Sequence, residues 1–526
     1  MADDLTRIAE DSARGGFLLM SGTALSTVIM AISSILIGRL LGPELYGQYT
    51  LALVMPQLLY LFTDLGINQG VTKFTASLNS RNETNRMVAV IKNAMLLKAF
   101  AGAILFAVNY ALSDAFAQIV FQRPDIALYI RIASFSILFQ VIFTTATSAF
   151  VGLDKSEYAA ITANIQALAK AIISIILVLV GFGVAGSVLG NTLGYAAAGG
   201  ASVLLLFLLL RRRLHTGGGY STREDLAGLV RYGIPLYISI LLTGFTPLFQ
   251  SFILAIFTTD ADIGNYKAAL NFATLITVLS VPITTALLPA FSKIDSAASH
   301  KLKLFFRHAN KYTALLIMPL TILLITYSTQ VVQIIYGSTY ESASIFLATY
   351  CLLYFAVGIG YLTLVSLYNG IGETGTTFLI SLTTFLGVAF LSPVLTQTYG
   401  VEGLIVAFLA ASLIGTAFAL ARARKRFQIE FDARSLSKIY FASAVSAVPS
   451  LLLLRFMSLS NSADLAIGAT LYLLIYITLI PLVRIVTPPE LQTASRVLQK
   501  IRLLNVIAKP FLNYQQWVLK LRHSKH

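Results

Sequence analysis

Apolar segments alternate with short polar connections along almost the whole chain. About fourteen of these segments reach the roughly 20 residues that a helix needs to cross a bilayer. We therefore predict an all-α polytopic membrane protein with about 14 transmembrane helices, arranged as two pseudo-symmetric six-helix lobes and two C-terminal helices. The predicted boundaries are a cytoplasmic N-terminal segment (1–16), an N-lobe (17–211), a cytoplasmic inter-lobe loop (212–228), a C-lobe (229–421), a basic cytoplasmic loop (422–438), the last two helices (439–486) and a basic amphipathic tail (487–526).

The first six apolar segments are repeated by the second six. Residues 41–53 align with residues 258–270 at an offset of 217, which places Gly47 over Gly264, and the same offset places Gly183 over Gly400. Since each unit holds an even number of crossings, both lobes enter the membrane in the same orientation and face each other across a central cavity. A cavity between two lobes is typical of transporters that work by alternating access.

The composition fits this class of protein. The chain is 57% hydrophobic and 12% charged, with a mean hydropathy of +0.78, whereas soluble proteins are about 25% charged. Fourteen crossings of about 20 residues use roughly 280 residues, which leaves no room for a separate soluble domain. The single cysteine, Cys351, excludes an internal disulfide.

The distribution of lysine and arginine predicts the orientation in the cell membrane. Most of the 38 basic residues fall in connections on one side of the predicted spans, and the positive-inside rule therefore places both termini in the cytoplasm. The first residues hold four acidic side chains, and the apolar run after them is too long for a signal core. We expect a cytoplasmic prefix and anchor there, not a cleaved signal.

The net charge of +15 indicates contact with anionic membrane lipids and does not indicate nucleic-acid binding. Within the tail, residues 490–504 place apolar side chains on one helical face and bases on the other. We expect this segment to lie on the inner leaflet. Docking of a protein partner on the same face, such as a polysaccharide-assembly enzyme, is the alternative.

Ionisable side chains deep in a membrane span are costly and usually face a partner or water. Lys98 and Lys170 lie about halfway along their predicted spans, Asp64 toward the inner end of the second, and Arg131 and Arg39 near outer ends. Two deep lysines in one lobe predict a cavity that binds an anion such as a phosphate or diphosphate, and their substitution by glutamine should impair transport without lowering the amount of folded protein. In the alternative interpretation, Lys98 or Lys170 pairs with Asp64 and only holds the helices together.

Four amides are further candidates for the lining of the cavity, where they would bond sugar hydroxyls: Gln57, Asn68, Gln250 and Asn271. Hydrogen bonds from helix to helix explain each of them equally well.

No cofactor or metal is predicted. Residues 370–375 fit the dinucleotide-binding fingerprint letter for letter, but they lie between two membrane helices with no strand before them. The chain also lacks a phosphate-cradling glycine loop with lysine, so ATP hydrolysis is not expected.

The sequence resembles one known family at two places. The segment GRLLGPELYGQYTLAL, residues 38–53, and the end of the next apolar helix, TDLGINQGVTKF, residues 63–74, are similar to polysaccharide and lipid-linked oligosaccharide flippases of the MOP superfamily. The resemblance implies a bundle of two six-helix lobes that moves a polyprenyl-(di)phosphate-linked oligosaccharide to the outer face of the plasma membrane. The glycan and phosphate would cross through a basic, hydrophilic cavity, with H⁺ or Na⁺ as a candidate coupling ion.

Three alternatives stay open. Multidrug antiporters of the same superfamily often need an acid in the first helix or nearby, and this chain offers Asp64. Relatives that flip the peptidoglycan precursor usually carry arginines in the first helix, and residues 17–38 are uncharged. A membrane-embedded glycosyltransferase or polymerase would normally show a long outside loop with paired acids or histidine, whereas the outside loops here are short.

Overall fold

The structure is a computed structural model that describes residues 2–211, 222–294, 299–456, 460–487, 490–491 and 514–515, and these are helical with no strand among them. The helices of the first half are α1 (Ala2–Ala52), α2 (Val54–Phe62), α3 (Ile67–Ser80), α4 (Thr84–Ala111), α5 (Ser113–Ala115), α6 (Ala127–Gly152), α7 (Ser156–Leu177) and α8 (Gly183–Leu210). Those of the second half are α9 (Thr222–Phe257), α10 (Asp260–Ser292), α11 (Ser299–Thr326), α12 (Ser328–Ile335), α13 (Ala343–Cys351), α14 (Thr363–Gly370), α15 (Thr374–Phe427), α16 (Ala433–Phe456) and α17 (Asn461–Leu482). Short π or 3₁₀ turns cover Phe116–Val120, Pro124–Ile126, Val178–Phe182 and Leu352–Ile359.

Ten helical segments of the described chain are long and apolar enough to cross a membrane, or eleven if the bent pair Ala343–Ile359 and Thr363–Gly370 is one span. Three of them run for 42 to 55 residues, well beyond the roughly 20 residues of one crossing. Glycines with positive φ interrupt these three, at Gly42 (φ 75°), at Gly181 (φ 100°) and at Gly400 (φ 58°). The sequence predicts connections between spans at residues 39–44, 182–183 and 398–400. Gly42 and Gly400 therefore lie within predicted connections, and Gly181 lies directly before one. The all-α membrane fold is confirmed, and the count of fourteen stays a prediction.

The internal repeat is visible in the backbone. Gly183 has φ 51° and ψ −128°, and Gly400, its counterpart at an offset of 217, has φ 58° and ψ −139°. Residues with a Cβ rarely adopt this conformation, so glycine at both positions allows the same sharp reversal between two helices in each half of the chain.

The described chain packs as two compact units. Unit 1 consists of Met1–Thr274, Thr339–Ser342 and Ser381–Ala411, and unit 2 consists of Leu275–Ser338, Ala343–Ile380 and Ser412–His526. Each has its own buried apolar cluster, and the two clusters use repeat-related positions: Phe150, Leu206 and Leu210 in unit 1 correspond at an offset of 217 to Leu367, Ala423 and Phe427 in unit 2. The duplication therefore extends to the packing of the cores.

The helix bounds differ in detail from the predicted segments. α1 begins at Ala2, within the predicted N-terminal segment; α9 begins at Thr222, within the predicted inter-lobe loop; and α15 and α16 reduce the basic loop to residues 428–432. The predicted amphipathic tail lies mostly outside the described residues, and the domain boundaries stay predictions.

Candidate substrate cavity and buried charges

Unit 1 contains a cavity of about 420 Å³. It lies between α1, α2, α6, α8, α9 and α10. Its walls are formed by Thr50, Leu53, Val54, Gln57, Tyr60, Leu61, Gln140, Tyr195, Gly244, Pro247, Leu248, Ser251 and Lys267. Of the predicted site residues, Gln57 is the one that lines this cavity.

Among the described residues that line this cavity, one side chain is cationic, that of Lys267, and none is a carboxylate. The Lys267 ammonium lies 3.4 Å from the hydroxyl of Ser251, to which it donates. Amides, phenols and aliphatic hydroxyls supply the other polar groups, and Tyr60 donates to the Thr144 hydroxyl at 3.1 Å. A lysine among neutral donors and acceptors favours an anionic group with hydroxyls around it.

Lys267 lines the candidate cavity but is not among the residues predicted from the sequence. Its position just after the connection before the eighth predicted span placed it among the few basic residues on the outer side. The repeat carried a usable signal: at an offset of 217, Lys267 corresponds to Thr50, and both line the cavity. Gln140, Tyr60 and Tyr195 had no comparable signal, since the rotation of each helix decides which side chains face inward.

Two predicted amides lie near the cavity without lining it. Gln250, next to Ser251, is buried, and its Nε2 has no hydrogen-bond partner within the described part of the chain. Asn271 donates from Nδ2 to the hydroxyl of Tyr46 at 3.0 Å, a contact between α10 and α1. Asn271 therefore matches the helix-to-helix alternative.

Asp64, Asn68 and Lys98 come together at a break in the second apolar span. Helix α2 ends at Phe62 and α3 begins at Ile67, and Leu65 (φ 43°) and Gly66 (φ 81°) adopt left-handed conformations between them. Asp64 accepts from the backbone N–H of Asn68 at 3.1 Å, which caps the start of α3. The Lys98 ammonium, from α4, donates to Asp64 Oδ1 at 3.2 Å and to Asn68 Oδ1 at 2.9 Å.

Helix α9 packs directly on this break. A Cβ on Gly66 would overlap the backbone of Gly233, and a Cβ on Gly233 would overlap that of Gly66. The hydroxyl of Tyr237, one turn further along α9, donates to the carbonyl oxygen of Leu61 at 2.8 Å. The conformation of the break is therefore tied to the position of α9.

Lys170 is 6% exposed on α7, among side chains that face α8. A Cβ on Gly194 of α8 would lie 2.9 Å from the Cβ of Lys170, which shows how closely the two helices approach. No ion pair joins the Lys170 ammonium to an acid among the described residues. The structure thus separates Lys170 from Asp64 and pairs Lys98 with it.

Arg131 and Arg39 lie away from the cavity. The Arg131 guanidinium donates to Asp114 at 2.6 Å and to the Ser113 hydroxyl at 3.1 Å, in an ion pair whose side chains are 36% and 57% exposed. Arg39 is exposed. Neither residue lines the cavity.

A second cluster of charged side chains, which was not predicted from the sequence, joins the start of α10 to the connection before α6. Arg123 forms an ion pair with Asp260 and donates to the carbonyl oxygens of Ala255 and Thr258, both at 2.6 Å. Gln48 donates to the other carboxylate oxygen of Asp260 at 3.2 Å. These bonds satisfy carbonyls at the end of α9 that the helix itself leaves unpaired.

Comparison with known families fits this fold and this cavity. Residues 12–295, more than half of the chain, match the family model described as "Polysaccharide biosynthesis protein", and residues 251–478 match the model described as "Lipid II flippase MurJ". The chain belongs to the polysaccharide biosynthesis protein family. No curated protein matches the sequence.

Solved structures share the fold. The chain is similar to lipid II flippase MurJ in an inward closed conformation, with a TM-score of 0.71, 17% identity, and coverage of 89% of this chain and 98% of that one. It is also similar to an inward-facing multidrug resistance MATE family transporter (TM-score 0.61, 15% identity, 78% and 96% covered) and to a MOP superfamily transporter from Pyrococcus furiosus (TM-score 0.53, 17% identity, 80% and 95% covered). The protein is a multi-pass membrane transporter of the MOP superfamily, as the sequence resemblance predicted.

Proposed function

We propose that this transporter is a flippase for a polyprenyl-(di)phosphate-linked oligosaccharide. It moves this lipid from the cytoplasmic to the outer leaflet of the plasma membrane, by alternating access, for the synthesis of cell-surface polysaccharide or glycoprotein. Membership of the polysaccharide biosynthesis family and the likeness of the fold to a lipid II flippase support this class of substrate.

The observation that carries the proposal is the chemistry of the cavity. The Lys267 ammonium suits a phosphate, and no carboxylate among the described lining residues would repel an anion. Gln57, Gln140 and the two tyrosines offer donors and acceptors for sugar hydroxyls. A volume of about 420 Å³ matches a pocket for a ligand of drug size, so we expect it to hold the phosphates and the first sugars of a longer glycan.

The roles of the two deep lysines diverge in this proposal. Lys98 is neutralised by Asp64, and its substitution should lower stability before it affects substrate binding. Lys170 stays a candidate for a second anion contact, since no acid among the described residues neutralises it. In this proposal Lys267, and not Lys98, provides the main contact to the phosphate.

A multidrug antiporter is the second candidate, because MATE transporters share the fold and Asp64 is a buried acid. Its carboxylate is already paired with an ammonium, which makes it a poor partner for a cationic drug. The peptidoglycan precursor is a narrower alternative within the flippase class, and the match of residues 251–478 to the MurJ model is the observation in its favour.

The test uses proteoliposomes that contain the purified protein and a fluorescent polyprenyl-diphosphate oligosaccharide. Protein-dependent movement of this lipid between leaflets, with and without an imposed H⁺ or Na⁺ gradient, is the expected result, together with no transport of a cationic drug. Drug transport without lipid movement would establish the antiporter instead. Lipid II, the peptidoglycan precursor, is the third substrate. Movement of lipid II in place of the polyprenyl-diphosphate oligosaccharide would favour the narrower flippase alternative.

We also propose that both termini lie in the cytoplasm and that the basic cytoplasmic segments contact anionic lipids. The bias of lysine and arginine supports this orientation. Digestion of a C-terminal tag by protease added to sealed inside-out vesicles is the direct check. Protection of that tag would contradict the cytoplasmic position of the C-terminus.

A further inference from the structure

The break between α2 and α3 presents two oxygen ligands to one buried cation. Asp64 Oδ1 lies 3.2 Å and Asn68 Oδ1 lies 2.9 Å from the Lys98 ammonium, whose side chain is fully buried. Asp64 precedes the start of α3 and Asn68 lies in its first turn. Their oxygens converge because the chain turns at Leu65 and Gly66.

Carboxylate and amide oxygens are ligands for hard cations, and breaks in membrane helices are places where transporters hold small monovalent cations. We propose that the Lys98 ammonium is a tethered cation that occupies a monovalent-cation site formed by Asp64 and Asn68. The site takes a small cation of one charge, and in this chain the cation is part of the protein. A free Na⁺ or K⁺ is therefore not needed at this position, whichever substrate the cavity carries.

The contacts go beyond those of a simple ion pair between two helices. An ion pair needs only the carboxylate, whereas here the Asn68 oxygen is the nearer of the two ligands. The backbone N–H of Asn68 also donates to Asp64 Oδ1, which holds that oxygen in place. The carboxylate half of the donor set is thus oriented by the start of α3 as well as by Lys98.

Occupancy of this site is tied to helix α9. Gly233 packs its backbone on Gly66, and Tyr237 bonds the carbonyl oxygen of Leu61, on the two sides of Asp64. Without a cation, Asp64 would be a buried, unpaired carboxylate, which is strongly destabilising. The break would rearrange, and the surface on which α9 packs would be lost.

The experiment measures the melting temperature of purified Lys98→Ala in detergent, in chloride salts of choline, Na⁺, K⁺, ammonium or methylammonium at equal ionic strength. In choline, which is too large for the site, the variant should melt several degrees below wild type. Ammonium, methylammonium or Na⁺ should raise its melting temperature saturably, by about 3 °C. Wild type should melt at the same temperature in all five salts. This readout does not require the transported substrate to be known.

Two controls make the result specific. Lys170→Ala removes another buried lysine that has no ion-pair partner among the described residues, and its melting temperature should not respond to the cation. Asp64→Asn combined with Lys98→Ala removes the charge of the site and should abolish the response.

The proposal fails if no small cation stabilises Lys98→Ala, or if wild type or Lys170→Ala gains as much as that variant. If Lys98→Ala cannot be purified in choline, the yield of monodisperse protein with and without methylammonium gives the same comparison. Recovery only with methylammonium supports the tethered cation, and equal failure in both salts overturns it.

Discussion

Among the lysines of the apolar helices, Lys98, Lys170 and Lys267 differ in their surroundings. Lys98 is paired with Asp64, Lys170 is buried between α7 and α8, and Lys267 faces the cavity. An ammonium stabilises a bound phosphate only if it can reach it and is not already neutralised. The three side chains should therefore respond differently to the same substitution by glutamine.

Lys267→Gln should lower the initial rate of lipid flipping about tenfold, since a hydrogen bond to a charged group contributes about 1.5–3 kcal/mol. The measurement is the initial rate in proteoliposomes at equal protein content, with size-exclusion profiles to establish folding. Arg131→Gln is the matched control, because it removes a cation that lies outside the cavity. A Lys267→Gln variant that flips at the wild-type rate would remove Lys267 from the substrate site.

Glu490 holds the start of the C-terminal segment to α11. It accepts from the Lys311 ammonium at 2.9 Å and from the Tyr312 hydroxyl at 3.0 Å, and the backbone N–H of Thr487 donates to it at 2.8 Å. Burial opposes ionisation of Glu490, but these donors outweigh it and lower its pKa to about 2. A carboxylate whose pKa is lower in the folded state stabilises the fold above the unfolded-state pKa, which is about 4.3.

Glu490→Gln should therefore lower the melting temperature by about 2 °C at pH 7. The difference from wild type should stay constant from pH 7 to about pH 5 and shrink as the pH falls below the unfolded-state pKa of about 4.3. Differential scanning fluorimetry across this range is the measurement, and Glu402→Gln, at an exposed position, is the control. A difference that already disappears between pH 7 and pH 5 would contradict the lowered pKa.

At the scale of elements, the repeat explains a reciprocal contact. A Cβ on Gly47 would overlap the carbonyl oxygen of Asp260, and a Cβ on Gly264 would overlap that of Pro43. Gly47 and Gly264 are repeat counterparts, and so are Pro43 and Asp260 at the same offset of 217. The contact is therefore a local two-fold arrangement of α1 and α10.

Gly47→Ala and Gly264→Ala should each destabilise the protein by about 1–3 kcal/mol, because the added methyl group meets backbone that cannot move aside cheaply. The double variant should cost less than the sum, since both methyl groups separate the same two segments. Thermal melting of the three variants gives the comparison. Gly375→Ala, where nothing lies within 4 Å of the added Cβ, should be neutral, and full additivity would contradict a shared contact.

The sequence predicted some elements and missed others for identifiable reasons. The offset of 217 pointed to Gly47, Gly264, Gly183 and Gly400, because glycine at a close approach or a positive φ leaves a mark in the sequence. The break at Leu65 and Gly66 was missed, because the sequence predicts residues 63–74 as the end of a single apolar helix. The position of Lys267 in the cavity wall was not predicted, because helix rotation decides which way a side chain faces and packing decides the rotation.

At the scale of the molecule, the sequence was sufficient for the class of protein. Hydropathy, duplication and two short motifs predicted an all-α membrane transporter of the MOP superfamily, and the family match and fold confirm it. Composition and periodicity carried no information about Arg123, which bonds Ala255, Thr258 and Asp260, all more than 130 residues away in sequence. Such junctions follow from the tertiary fold alone.

The Arg123 junction should control access to the cavity. Arg123 connects Asp260 with carbonyls at the end of α9, and both α9 and α10 line the cavity through Ser251 and Lys267. Loss of a charged side chain that makes several bonds at once costs several kcal/mol, and each 1.4 kcal/mol changes the population of an open state tenfold. Arg123→Gln should therefore expose the cavity more often.

A single cysteine at Thr50, which lines the cavity, reports this opening in a Cys351→Ser background. The rate of maleimide labelling in detergent should rise about tenfold in Arg123→Gln, as a shift of 1.4 kcal/mol implies. Arg131→Gln breaks an exposed ion pair with Asp114, and since exposed pairs contribute little, it should leave the rate unchanged. Labelling of Arg123→Gln at the wild-type rate would show that other contacts keep the cavity closed. An equal rise in both arginine variants would instead indicate general loosening of the helices, because the bonds of Arg131 to Asp114 and Ser113 involve neither α9 nor α10.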